Sequence, residues 1–147
     1  FKQRYAGIMH VVSEQEYNDM TKATRHCMQR GARRIAYVGA TGKREDHTLG
    51  NISLLAYYLD SLSVQSVMFT DYGFVVPARG ERTFGSFARQ QVSIFNVSSR
   101  SISSEGLRWP SYAYSALWQG TLNEAEAGTF TLRADGTYIV YRTYEPK

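Results

Sequence analysis

A chain of 147 residues, 43% of them hydrophobic, is long enough for one ordinary domain or two small ones around a core. No apolar run approaches the roughly 20 residues of a membrane helix and no charged-then-apolar signal opens the sequence, while the single cysteine, Cys27, leaves no internal disulfide framework or thiolate metal cage; no membrane role and a cytoplasmic location are expected. The net charge of +4, from 17 basic and 13 acidic residues, is scattered apart from short clusters such as Arg33-Arg34 and Lys43-Arg44, so most of it reads as solvated surface, the excess suiting an anionic small molecule and forming no nucleic-acid stripe.

In chain order, Ile8 to Val12 is a short apolar run read as a strand, Asn18 to Arg30 as a helix closed by Gly31, and Ile35 to Val38 as a second strand ending in glycine. A helix between two strands that are apolar throughout is the pattern of a parallel βαβ unit, with both strand ends opening on one sheet edge. A second helix is expected over Thr48 to Leu59, where Leu49, Ile52, Leu55, Ala56 and Leu59 recur at helical spacing, followed by an apolar run from Val64 to Phe69. Beyond Asp71 the texture changes. Phe74 to Val76, Val92 to Val97, Thr129 to Leu132 and Thr137 to Tyr144 read as strands, the last two joined by the hairpin signal Asp135-Gly136. Tyr138, Val140, Arg142 and Tyr144 alternate with Ile139, Tyr141 and Thr143, as in a sheet packed on one or both faces. The expected fold is an α/β N-terminal part, an incomplete Rossmann-like parallel sheet over residues 1–75, followed by an all-β sandwich-like domain over residues 76–147.

The segment Gly39-Ala40-Thr41-Gly42-Lys43-Arg44-Glu45-Asp46-His47 joins a predicted strand to a predicted helix. In open α/β sheets ligands bind beyond the carboxyl ends of the strands, where a glycine loop lets backbone approach a phosphate and the next helix offers free N–H groups. The spacing matches neither a Walker A loop nor G-x-G-x-x-G, and a tight turn with a charged helix start explains the bare pattern equally well. Gln15 to Lys22 occupies the matching place after the preceding strand. If the two strands are neighbours, Asp19 and Asp46 share a sheet edge, and two carboxylates beside a glycine loop suit a Mg²⁺–triphosphate site. Taken alone, Asn18 or Asp19 reads as a helix cap.

Read together, these segments resemble a known family. Gly39 through Asn51 follows G-A-T-G-x-R-x-D-H-T-x-x-N and closely resembles the nucleotide-loop motif of thiamin pyrophosphokinases, and Gln15 to Lys22 resembles the block that precedes it. Glu105-Gly106-Leu107-Arg108-Trp109-Pro110 is similar to the family's G-L-[KR]-[WY]-P segment, and Asn123 falls where the family often has a Ser-Asn pair. The resemblance spans essentially the whole chain. It implies transfer of a diphosphate group from ATP to the primary hydroxyl of thiamin, giving thiamin diphosphate and AMP, with Mg²⁺ as cofactor. It further implies catalytic roles for Asp19, Asp46 and Gln15, the two aspartates holding Mg²⁺ or orienting the hydroxyl. Asn18, Lys22, Gly39, Thr41, Gly42, Arg44 and His47 would bind ATP and its phosphates. Trp109 and Asn123 would bind thiamin, a flat cation suited to an aromatic face, and the family's homodimer would place that site at the subunit interface. Without the resemblance, Trp109 reads as ordinary core or edge packing, and Trp118 is read as structural.

The sequence also departs from the family. Members carry an acidic G-D-x-D-S block upstream, which is not found here, and Glu16 stands where many have Asp. With Phe1 in place of an initiating Met, the chain reads as a fragment lacking that block, and alone it is expected to be inactive or nearly so. A non-catalytic nucleotide-binding or interaction module accounts for the missing block as well. A single-strand nucleic-acid binder built on the basic, aromatic β half is the weaker alternative.

Overall fold

The computed structural model describes residues 4, 6–8 and 12–146. The chain divides into two compact units, Phe1–Ala32 and Arg33–Lys147. The first contains a 3-10 turn at Ala6–Ile8 and helix α1 (Asp19–Gln29). The strand expected from Ile8 to Val12 falls mostly on residues 9–11, outside the described residues, and Ile8 itself ends the 3-10 turn. Helix α1 starts because Asn18, in extended conformation, turns its carboxamide oxygen onto the Thr21 N–H at 2.9 Å, satisfying one of the orphan donors of a helix start. It stops where Gly31, at φ +90°, lets the Gly31 N–H reach the Met28 carbonyl at 2.9 Å and the Ala32 N–H reach that of Cys27 at 3.1 Å. The Arg25 guanidinium lies 3.9 Å from the centre of the Tyr17 ring, a cation–π contact that ties the helix to the segment before it.

The second unit opens with β1 (Arg34–Val38), α2 (Glu45–Leu62) and β2 (Gln65–Phe69), and β1 and β2 pair in parallel with Tyr37 opposite Met68. Helix α2 begins three residues before the expected Thr48, with Glu45 and Asp46 in its first turn, where negative charge favours the helix dipole. Leu49, expected on the apolar stripe, is 63% exposed; burial starts a turn and a half later at Leu55, Ala56 and Tyr58. The remaining strands are β3 (Gly73–Arg79), β4 (Arg82–Gly85), β5 (Gln90–Asn96), β6 (Ile102–Glu105), β7 (Asn123–Glu124), β8 (Thr129–Ala134) and β9 (Thr137–Pro146). They form a six-stranded sheet of order β1-β2-β3-β9-β5-β7 and a three-stranded sheet of order β4-β8-β6. The parallel pair therefore continues directly into antiparallel strands through Met68↔Val75 and Phe69↔Phe74, and the fold is mixed α/β.

The hairpin expected at Asp135-Gly136 does not form. β8 pairs with β4 and β6, whereas β9 pairs with β3 and β5 in the other sheet. A two-residue type I′ hairpin needs φ > 0 at both central residues, and neither Asp135 nor Gly136 has it. Instead the Asp135 carboxylate accepts the N–H groups of Arg100 and Ser101 at 2.8 and 3.0 Å, and a side chain at Gly136 would come within 2.8 Å of the Ser98 backbone. The glycine serves close approach, and the turn carries the chain from one sheet to the other.

One face of the large sheet is covered by α2, which packs on β2, β3 and β9. The Tyr37 and Tyr58 rings lie 5.9 Å apart there, and the Thr137 hydroxyl donates to Asp60 at 2.7 Å. On the other face Val92, Ile94, Tyr138 and Val140 meet Phe84, Ile102, Phe130 and Leu132 of the small sheet, with Phe84 and Phe130 stacked at 5.1 Å. Each such side chain removed from water contributes about 1.5–3 kcal/mol. Burial pushes the Tyr138 hydroxyl up to about 12, and it donates to the Gly80 carbonyl at 3.1 Å.

Candidate functional site

Strand β1 ends at Val38, and the chain turns at Gly39 and Gly42, with φ of +70° and +87°, before entering α2. Nothing lies within 4 Å of where a Cβ would sit at either glycine, so the requirement is conformational: only glycine takes these angles without strain. The loop is braced from the helix. Asn51 Nδ2 donates to the Ala40 carbonyl at 2.8 Å, and the Thr48 N–H and hydroxyl both donate to the Arg44 carbonyl, at 3.0 and 3.2 Å. Asn51 closes the sequence motif but carries no role in the sequence reading; its position two turns into the helix, facing back onto the loop, supplies one.

Arg44 and Asp46 flank the helix start. The Arg44 guanidinium forks onto the Asp46 carboxylate, Nε to Oδ1 at 3.1 Å and Nη2 to Oδ2 at 2.7 Å, and the His47 N–H donates to Oδ1 at 2.9 Å. This guanidinium, with smaller help from the His47 N–H, holds the Asp46 carboxyl below the usual carboxylate range. Both side chains remain open to solvent. The structure thus brings Gly39, Thr41, Gly42, Arg44, Asp46 and His47 onto one loop and helix start. Two left-handed glycines, helix N–H groups and a solvent-facing guanidinium and carboxylate can receive a phosphate chain and a hard cation.

The other predicted residues of this group fall in the Phe1–Ala32 unit. Gln15 Nε2 donates to the Ser13 carbonyl at 3.3 Å, Asn18 caps α1 through its side-chain oxygen, and Lys22 donates its N–H to the Asn18 carbonyl at 3.0 Å. Asp19 is the first helical residue and is exposed. Among the described residues no three His, Cys, Asp or Glu side chains cluster around a point where a metal could sit. Mg²⁺ asks for less, taking one or two carboxylates and completing its shell with phosphate oxygens and water.

Trp109 and Asn123 meet at the far edge of the large sheet, where β7 closes it. Asn123 is buried, and its side chain both accepts from the Trp109 N–H at 3.2 Å and donates to the Trp109 carbonyl at 2.8 Å. The indole, 50% exposed, has the Arg108 guanidinium 5.0 Å from its ring. Beside it opens a cavity of about 290 Å³ lined also by Tyr112, Tyr114 and Gln119. The two tyrosines stack edge to face at 4.5 Å. The sequence reading assigns them no role; the Tyr-x-Tyr repeat that begins after Pro110-Ser111, outside any strand, is the signal that distinguishes them. Trp118, read there as structural, sits in a 3-10 turn at Leu117–Gly120 and is 73% exposed. Five strand spacings of about 4.8 Å separate β1 from β7, so the glycine loop and the Trp109 cavity belong to sheet edges about 24 Å apart.

Two family models match the chain: thiamin pyrophosphokinase, catalytic domain, over residues 1–66, and thiamin pyrophosphokinase, substrate-binding domain, over residues 73–141. Among curated proteins none matches the sequence. Among solved structures, thiamine pyrophosphokinase from Bacillus subtilis is similar with a TM-score of 0.77 at 19% identity, over 97% of this chain and 70% of that one. The thiamin pyrophosphokinase from Geobacillus thermodenitrificans gives 0.73 at 22% identity, over 98% and 69%. The thiamin pyrophosphokinase from Candida albicans gives 0.75 at 16%, over 98% and 68%. At these identities the likeness is one of fold, and the chain spans about 70% of the length of the first of these structures.

Proposed function

The chain belongs to the thiamin pyrophosphokinase family, and from that premise we propose that it works in diphosphate transfer from ATP to thiamin, releasing AMP. The observation that carries this reading is the braced loop from Gly39 to Asn51, with Arg44 and Asp46 at the helix start. In the reaction the hydroxyl oxygen of thiamin bonds to the β-phosphorus, the bond from that phosphorus to the oxygen bridging to the α-phosphorus breaks, AMP leaves with the electron pair, and the hydroxyl gives up its proton. Such transfers depend chiefly on in-line positioning and neutralisation of charge.

The loop N–H groups, with Thr41 and His47, would hold the phosphate chain, and Arg44 would exchange its carboxylate partner for a phosphate oxygen. Asp46, freed once Arg44 turns away, is a carboxylate that would hold Mg²⁺ or orient the hydroxyl; for Asp19, with Gln15, Asn18 and Lys22 on its own unit, the same role rests on the family resemblance. When bound, Mg²⁺ supplies charge neutralisation to the phosphate oxygens. Trp109 would stack on thiamin, and Asn123 would fix the backbone that presents the indole.

The distance across the sheet supports a homodimer. A thiamin-binding face about 24 Å from the phosphate loop of its own chain is better placed to serve the loop of a second copy. The exposed Leu117, Trp118 and Leu122, beside the Trp109 cavity, supply apolar surface for such a contact. In finer terms the parallel pair reads as one end of a Rossmann-like sheet, and the two sheets facing across the core as a sandwich bearing the thiamin and dimer surfaces. No helix among the described residues is long and apolar enough to cross a membrane. A cytoplasmic location is part of the proposal. The test is AMP release from Mg²⁺-ATP in the presence of thiamin, made on a form of the protein whose wild type turns over, since the 147 residues alone are expected to be inactive or nearly so. Asp46→Asn and Asp19→Asn are expected to abolish it, and wild-type rates in both variants would refute the assignment.

A further inference from the structure

The large sheet has a second concave feature at the end opposite the glycine loop. The loop follows Val38, whereas Arg34 opens β1 and Gln65 opens β2; four residue steps of about 3.3 Å put about 13 Å between Arg34 and Val38. Around Arg34 lies a cavity of about 430 Å³. Its floor is a row across three strands, Ala36 beside Val67 and Val67 beside Val76, continued by Ala78. The small alanine side chains leave this floor low. Arg34, Arg79 and Arg82 also line the cavity, and no acidic residue does. Asp60, 3.9 Å from Arg79, offsets only one of these charges. Three like charges around one trough are a large concentration in a chain whose net charge is +4.

We propose that this trough binds a small organic phosphate at a site separate from the glycine loop. Guanidinium groups match phosphate oxygens in charge and in fork geometry, and the apolar row receives the body of the ligand. The volume falls within the roughly 300–1,000 Å³ typical of small-molecule sites. Because the two ends of β1 are about 13 Å apart, a ligand here does not reach the loop; it acts as an effector through the strand that carries both. The competing explanation is that the arginine stems simply cover the apolar floor, which requires no ligand at all.

The trial is a titration of the chain with AMP and, separately, with inorganic pyrophosphate, read by calorimetry and by amide shifts at residues 34–36. Both probes should bind. Arg34→Gln with Arg82→Gln should weaken both by about tenfold or more, as expected when charge-assisted hydrogen bonds are lost. Ala36→Leu, which fills the floor from an exposed position, should weaken AMP and spare pyrophosphate. Arg44→Gln should leave the shifts at residues 34–36 unchanged. Absence of binding, or binding that survives the double substitution or disappears with Arg44→Gln, would overturn the proposal. Failure of ATP to shift the 39–44 amides would count against the catalytic reading alone, since the two ends of β1 report separately.

Discussion

Asn123 and Trp109 hold each other reciprocally, the carboxamide of one closing on the N–H and the carbonyl of the other at 3.2 and 2.8 Å. Asn123 is buried, so Asn123→Ala would deprive three main-chain groups, the Trp109 N–H and carbonyl and the Glu124 N–H, of this partner and leave a void. The expected loss is about 1–3 kcal/mol of stability in chemical denaturation. Asn123→Asp keeps the acceptor and removes the donor, and should fall between. If Asn123 acts by presenting the indole, both variants should also raise the Michaelis constant for thiamin more than that for ATP. Unchanged stability in Asn123→Ala would contradict the geometry itself.

The Arg44–Asp46 fork sets a pH dependence with a definite sign. The Asp46 carboxyl titrates below its unfolded value of 3.8, chiefly because of Arg44. Its contribution is therefore present above 3.8 and is lost as pH falls through the lower folded value. The pair is exposed, so the effect on stability will be small. An NMR titration of the Asp46 carboxyl should show a midpoint below that of an unfolded reference, and Arg44→Gln should move it back up. Saturating ATP, by drawing Arg44 onto phosphate, should weaken the fork in the absence of Mg²⁺.

Three glycines separate two kinds of constraint. Gly39→Ala and Gly42→Ala meet no atoms, and their cost comes from left-handed backbone alone, about 1–2 kcal/mol each. Gly120 has no such φ, but a Cβ there would lie 1.9 Å from the Ile94 carbonyl oxygen. Gly120→Ala must push a core strand or the 3-10 turn aside, at about 1–3 kcal/mol or more. Thermal melts of the three variants should rank Gly120→Ala lowest. The loop variants should lose affinity for ATP with a midpoint lowered by a few degrees, whereas Gly120→Ala should affect the Trp109 cavity.

What could be read from the sequence followed from periodicity and local chemistry. The parallel unit expected from Ile8 to Val38 has its first strand outside the described residues; β1, α2 and β2 were legible as separate elements from short apolar runs and helical spacing, and α1 from the end signals Asn18 and Gly31, whereas the parallel pairing of β1 with β2 emerges from the fold. β4 and β6 were not: Arg82-Thr83-Phe84-Gly85 and Ile102-Ser103-Ser104-Glu105 each bury one residue, and their pairing with β8 is a long-range choice that four residues cannot specify. Asp135-Gly136 marked a break between two strands, but the hairpin expected there does not form because the strands join different sheets. At the candidate site the glycine loop was visible as a motif, whereas the Asn51 brace and the Asn123–Trp109 pair join residues 11 and 14 positions apart and emerge only from the fold.

The sheet distance leads to the strongest test of a shared site. If a catalytic centre takes its phosphate loop from one chain and Trp109 from another, a chain with Trp109→Ala still offers a sound loop, and a chain with Asp46→Asn still offers a sound indole. Each variant alone should be nearly inactive at subsaturating thiamin. Unfolded together and refolded, random pairing makes half the dimers mixed, and each mixed dimer has one intact centre of two, so activity should return to about one quarter of wild type. A chain that uses its own Trp109 gives no such recovery, because in a mixed dimer every centre then carries one lesion. Sedimentation of the mixture shows whether dimers formed, so a missing recovery in assembled dimers counts directly against the shared site.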